Sequence, residues 1–178
     1  LAKLQEEEKM TDEDAISMIH VVSALTHAHV RSKMACGIYY FCVRSCMDRI
    51  GSISDWLQAG VDAAFSYYDQ IEECRTELQY FSRIRNLQIL QRLPKSEIKS
   101  GGYVIESIEA SLYCLLTTAS YKDCVLKAVN LGHDTDTTAA IAGGLAGLYY
   151  GYDAIPKAWK MDIIRREWIE EMCEDCIR

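Results

Sequence analysis

Leu131-Gly132-His133-Asp134-Thr135-Asp136-Thr137-Thr138 is a polar run that opens directly into the apolar stretch Ala139 to Tyr150. The apolar part predicts a helix that is hydrophobic nearly all round and therefore interior. Its first turn would be buried with it, carrying the carboxylates of Asp134 and Asp136 and the hydroxyls of Thr135, Thr137 and Thr138. Like charges in an apolar interior are costly unless they are protonated, hydrogen-bonded or bound to a cation, and a cation relieves both repulsion and desolvation. Oxygen donors favour a hard ion, Mg²⁺ or Mn²⁺, over zinc. Residues two apart can reach one small cluster from a turn, whereas on a regular helix they share no face. The alternative is an ordinary helix start, with Asp136 as the cap and Asp134 in an Asx turn. An EF-hand is excluded: counting from Asp134 puts Ala139 where the glycine belongs and Leu145 where the bidentate glutamate belongs.

Gly143, Gly147 and Gly151 recur every four residues, with Gly144 beside the first. That spacing predicts close approach of another backbone, and with it a loss of more than ~2 kcal/mol for Gly147→Leu. Outward from this helix the chain continues to read as helical. Ala15, Met18, Ile19, Val22 and Leu25 form an amphipathic stripe behind a Thr11 cap. A second helix is expected from near Ser32 to Met47, a break at Gly51, and a third after Ser54 with Trp56, Gly60, Ala63, Tyr67 and Ile71 on one face. Leu78, Phe81, Ile84 and Leu87 predict a fourth, stopped by Leu93-Pro94. After the Gly101-Gly102 loop, Ile105, Ile108, Leu112 and Leu115 mark a fifth, and Ser120 caps a sixth that ends near Leu131. The expected architecture is a single all-α domain over residues 1–178 with short connections.

Composition narrows the function. With 26 acidic against 19 basic residues the net charge is −7, and the basic residues are scattered, which disfavours a nucleic-acid polymer as partner. The 8 cysteines include Cys36, Cys42, Cys46, Cys114 and Cys124 among apolar helical residues, and these read as reduced core packing. Cys173 and Cys176 form a lone CxxC, which supports neither a closed zinc site nor a redox motif. The longest apolar run, Ala139 to Tyr150, is shorter than the ~20 residues needed to span a bilayer. A cytoplasmic protein without membrane association is expected.

The string Gly132-His133-Asp134-Thr135-Asp136-Thr137, followed by Ala139, Gly143 and Gly147, resembles the C-terminal metal motif of the ADP-ribosylglycohydrolases. Val22-Ser23-Ala24-Leu25-Thr26-His27-Ala28-His29 is similar to that family's central segment, and Gly102-Tyr103-Val104-Ile105 with Glu109-Ala110 to its substrate loop and following helix. The resemblance implies a compact orthogonal multi-helix fold holding two Mg²⁺ or Mn²⁺ ions that hydrolyses the bond between ADP-ribose and a protein side chain or other acceptor. By motif position Asp134, Asp136 and Thr137 would be metal ligands, His27 would contact ADP-ribose and Tyr103 would line the ribose pocket. The residue-level alternative for His27 is a hydrogen-bonded core histidine.

Family members draw a Thr/Ser-Asp-Asp segment and a catalytic glutamate from an N-terminal part, and Thr11-Asp12-Glu13-Asp14 is no substitute, because it sits where a helix cap is expected. The 178 residues therefore resemble the later part of the family fold, truncated at the N-terminus, with an incomplete dinuclear site. The isolated chain is expected to be inactive, with a second chain as one means of completing it. A non-catalytic helical module that binds ADP-ribose or another protein is the alternative. Val30 in place of a frequent proline, His133 in place of Gly or Asp, and Glu106 in place of Asp are departures that bear on substrate preference.

Overall fold

In the computed structural model, which describes residues 10–47 and 51–175, the sequence folds as helices joined by short turns, with no strand among the described residues. Thr11 caps α1 (Asp12–Ala24) in a capping box: its hydroxyl accepts from the Asp14 N–H and the Asp14 carboxylate accepts from the Thr11 N–H. Thr11-Asp12-Glu13-Asp14 is thus a helix start, with Asp12 engaged by Arg44 and Tyr40. His29 precedes α2 (Val30–Met47), and its Nδ1 accepts the Arg31 N–H at 3.2 Å. Val30 therefore occupies the first helical position, a place where proline is also favoured.

Ser52 and Asp55 form a second capping box at the start of α3 (Ile53–Asp69), two residues earlier than Ser54 suggested. Its buried face is Trp56, Leu57, Gly60, Val61, Ala64, Phe65 and Tyr68, while Ala63 is exposed. Gly60 is the close crossing of the fold. A Cβ there would stand 2.7 Å from Cys42 Cα and 2.8 Å from both Cys42 N and Phe41 O, so α2 and α3 touch backbone to backbone. The glycines of the later helix do not play this part. A Cβ on Gly147 would meet only Tyr121 Cε2, at 3.9 Å, which removes the basis for a severe effect of Gly147→Leu.

After the short α4 (Glu72–Arg75), Leu78–Ile84 is a 3₁₀ segment, and α5 (Leu87–Arg92) follows behind an Asn86 cap. The single α-helix expected here is replaced because Leu78, Phe81 and Ile84 advance in steps of three, which a 3₁₀ helix places in line and an α-helix does not. A 3₁₀ turn at Lys95–Glu97 leads to the Gly101-Gly102 loop and α6 (Val104–Leu116). Ser120 caps α7 (Tyr121–Val129), Gly151 at φ +85° closes α8 (Thr135–Tyr150), and a 3₁₀ turn with α9 (Lys157–Asp162) and α10 (Arg166–Asp175) completes the described chain.

The enclosed helix is α6, not α8. Every residue from Ser107 through Leu116 is buried, whereas α8 buries Thr138, Ala142, Gly143, Leu145 and Ala146 and leaves Leu148 exposed. The serines of α6 are internally satisfied: Ser107 Oγ donates to Tyr103 O, and Ser111 Oγ to Ser107 O at 2.7 Å and to Thr138 O at 3.2 Å. Glu109, 6 % exposed, pairs with Arg83 at 2.9 Å.

Burial is the main influence on Glu109 and raises its carboxyl pKa, with Arg83 opposing the rise. The folded state therefore holds this proton more tightly than the unfolded chain, and stability falls as pH rises from about 4.5 through the raised folded value. Urea unfolding of the parent and Glu109→Gln across that interval should show the parent losing stability relative to the variant. A difference that stays constant with pH would mean Glu109 is not so shifted.

Burial likewise pushes the Cys46 and Cys124 thiols up to about 11, as suits inert core residues. Cys36 departs from the expected core packing: it is exposed and free. Cys176, half of the CxxC, lies outside the described residues. No helix among the described residues is long and apolar enough to cross a membrane.

Candidate functional site

A groove of about 1210 Å³ opens between α1, α2, α6 and α8. Met18, Ile19 and Val22 form one wall; Ala35, Cys36 and Tyr39 of α2 form the next; Val104, Ser107 and Ile108 come from α6, and Thr137, Ala140 and Ile141 from α8. The amphipathic stripe expected of α1 is divided between the core and this groove. Ala15 and Ile16 are buried, but Met18, Val22 and Leu25 are 49 %, 65 % and 79 % exposed, because α1 packs on α2 with its next face toward the groove. A space of this size, mostly apolar with a few convergent polar groups, suits a large small-molecule ligand.

Three of the sequence-derived site residues, from three separate segments, line this groove. His27 lies in the turn between α1 and α2, where its backbone N–H bonds Ser23 O at 2.8 Å and its Nδ1 lies 3.0 Å from Thr26 Oγ1. It is exposed, so the core-histidine alternative does not hold. Tyr103 stands at the start of α6 and Thr137 in the first turn of α8. Sequence reasoning missed Arg31, which also lines the groove; its signal was only its place one turn after His27.

Asp134 and Asp136 are arranged differently from the expected buried turn. The helix begins at Thr135, so Asp136 lies within its first turn and is exposed, and Asp134 is half-buried at the N-cap. Asp136 and Thr137 stay at the surface while Thr138 is buried, because α8 buries only one face. Asp136 is therefore not the cap, and the Asp134 side chain makes no capping hydrogen bond. The Thr137 backbone N–H holds the Asp136 carboxyl below its ordinary range. The Asp134 backbone is anchored by its N–H to Ser100 O at 2.9 Å, and Ser100 Oγ donates to Gly132 O at 3.0 Å.

The same anchor ties Asp134 to the loop that carries Tyr103. A Cβ on Gly102, whose φ is +82°, would stand 2.9 Å from Asp134 Oδ2. Glycine is needed there both for the left-handed backbone and for the carboxylate's space. Gly132 and His133 adopt left-handed conformations, φ +88° and +57°, which glycine takes without strain and histidine at some conformational cost.

The donors near the α8 start fit a hard cation in kind: two carboxylates and a hydroxyl, all oxygen. They are few in number. Among the described residues no three His, Cys, Asp or Glu side chains are grouped to hold a metal ion.

The described residues thus form an all-helical domain with a large groove that reaches the first turn of α8 at Thr137. The family model for ADP-ribosylglycohydrolase matches residues 4–178, and the chain belongs to that family. It is 41 % identical over 80 residues to ADP-ribosylarginine hydrolase Tri1 of Serratia proteamaculans (strain 568), covering 45 % of this chain and 22 % of that protein. It is 40 % identical over 72 residues to ADP-ribosyl-[dinitrogen reductase] glycohydrolase of Rhodospirillum rubrum, covering 39 % and 24 %. With ADP-ribosylhydrolase ARH3 of Homo sapiens it shares 30 % identity over 115 residues, 54 % of this chain and 32 % of the relative. The chain thus matches between about a fifth and a third of each relative's length.

Proposed function

We propose that this chain carries part of a metal-dependent site that hydrolyses the glycosidic bond between ADP-ribose and a protein side chain or other acceptor. The observation that carries the reading is the convergence of His27, Tyr103 and Thr137 on one groove, with Asp134 packed against the neighbouring Gly102. In this reading His27 and Tyr103 contact ADP-ribose, and Asp134, Asp136 and Thr137 hold Mg²⁺ or Mn²⁺. When bound, the ions would orient ribose hydroxyls and activate water. The carboxylates would also favour the positive charge that develops in glycosidic cleavage. With two carboxylates and the Thr137 hydroxyl at the start of α8, and no third His, Cys, Asp or Glu grouped with them among the described residues, hydrolysis calls for further ligands and a catalytic carboxylate from another segment or chain.

Reconstitution tests this. The 178-residue chain should release no ADP-ribose from ADP-ribosylated protein, and should do so with Mn²⁺ once an N-terminal segment of a relative, bearing the Asp-Asp motif and its glutamate, is shown to associate with it. Turnover by the chain alone would show that a complete site is already present. Association without turnover would favour a non-catalytic ADP-ribose-binding module.

A further inference from the structure

Arg31 is held at the groove on three sides. Its Nε donates to Glu77, its guanidinium lies 3.5 Å from the centroid of the Tyr80 ring, and its Nη1 donates to Tyr103 Oη at 3.1 Å. Glu77 and Tyr80 belong to the segment around the Leu78–Ile84 3₁₀ turn, Arg31 to α2, and Tyr103 to the loop before α6. The contact with Tyr103 spans 72 positions of sequence and is the hydrogen bond that fixes the phenol's outer end.

We infer that Arg31 is a positioning residue that orients Tyr103 in the groove, with Glu77 and Tyr80 holding the guanidinium in place. This rests on the reading of the groove as an ADP-ribose site. Tyr103 is 45 % exposed, and its hydroxyl accepts from Arg31, a partner on another element. Arg31 supplies one whose geometry is itself restricted: a planar fork paired with a carboxylate and stacked on an aromatic ring loses most of its rotational freedom before any ligand arrives. The consequence for binding is directional. Because Tyr103 Oη accepts from a permanent cation, its own O–H remains free to donate, and donation is strengthened when the same oxygen accepts from a charged group. The groove then presents a fixed phenolic donor, matched to an anionic or hydroxyl oxygen of ADP-ribose. Two of the five guanidinium N–H groups are engaged, by Glu77 and Tyr103, and its plane lies over Tyr80, so Arg31 is held in the orientation from which it acts through this donor.

The test has two arms on the full chain. In the first, ¹³C-labelled tyrosine spectra without ligand, with the Tyr103 signal assigned by Tyr103→Phe, should show a shifted, ordered ring that moves to the averaged position in Arg31→Ala and Arg31→Lys. Glu77→Gln, which keeps the shape of the carboxylate, should shift it part of the way and serves if the Arg31 variants fail to fold. An unchanged Tyr103 signal in folded variants would overturn the inference. In the second arm, calorimetry with ADP-ribose should show Arg31→Ala and Tyr103→Phe each weakening binding by about tenfold, with the double variant no weaker than either alone. Losses that multiply to about a hundredfold would mean that Arg31 meets the ligand independently, and would also overturn it. A parent chain that does not bind ADP-ribose counts against the groove reading, while the spectra still decide whether Arg31 orients Tyr103.

Discussion

Gly60→Leu is expected to destabilise the protein by about 3 kcal/mol or more, lowering the melting temperature by roughly 6–12 °C for a chain of this size. The atoms a side chain would meet are the Cys42 backbone and the Phe41 carbonyl, at 2.7 to 2.8 Å. Flexible side-chain ends can rotate away from an intruder; a helix backbone can yield only if α2 and α3 separate. Separation would also disturb buried Ile38, Leu57, Val61 and Ala64 on the facing surfaces. Thermal melting of Gly60→Leu beside Gly147→Leu provides an internal control, because Gly147 meets only Tyr121 at ordinary contact distance. Equal melting temperatures for the two variants would mean that the helix crossing lies elsewhere.

The second large effect concerns chemistry. In the reconstituted protein, Asp136→Asn should reduce Mn²⁺-dependent release of ADP-ribose by at least about a thousandfold with little change in melting temperature. Asp136 is exposed, so the amide replaces it without disturbing the core. What changes is charge: the Thr137 N–H holds the Asp136 carboxyl below its ordinary range, and a neutral amide cannot offer the same field to a divalent cation. Steady-state rates for parent and variant at saturating Mn²⁺ measure this. A variant that retains most of the parent's rate would place the essential ligand elsewhere.

Local signals in the sequence were sound where one side chain decides the outcome. Thr11 and Ser120 cap the helices they were expected to cap, and Gly102 marks the loop that leads to Tyr103. Burial was less legible, because hydropathy does not show whether a polar side chain is satisfied inside the fold. Ser107, Ser111 and Glu109 make α6 look like a surface helix, yet i−4 carbonyls and Arg83 let it pass through the core. The reverse holds for α8, whose small apolar residues suggest enclosure although only one face packs. The steps of three from Leu78 to Ile84 indicated 3₁₀ geometry but resemble one face of an α-helix when only apolar positions are counted.

The site divides along the same line. The string from Gly132 to Thr137 singled out the carboxylates of the proposed site, because residue types and order carry that motif. Its exposure could not be read there, since it depends on how much of α8 its neighbours cover. Nor could Arg31 be found, because its contact with Tyr103 joins positions 72 residues apart and leaves no periodic trace.

On the function proposed above, Asp134, Asp136 and Thr137 supply one side of a hard-cation site. Calorimetric titration of Mn²⁺ into the isolated chain and into an Asp134→Ala, Asp136→Ala double variant tests it most directly. Weak binding by the parent, in keeping with so few protein ligands, and none by the double variant is the predicted result. Tight stoichiometric binding that persists in the double variant would contradict the account and place the metal elsewhere in the molecule.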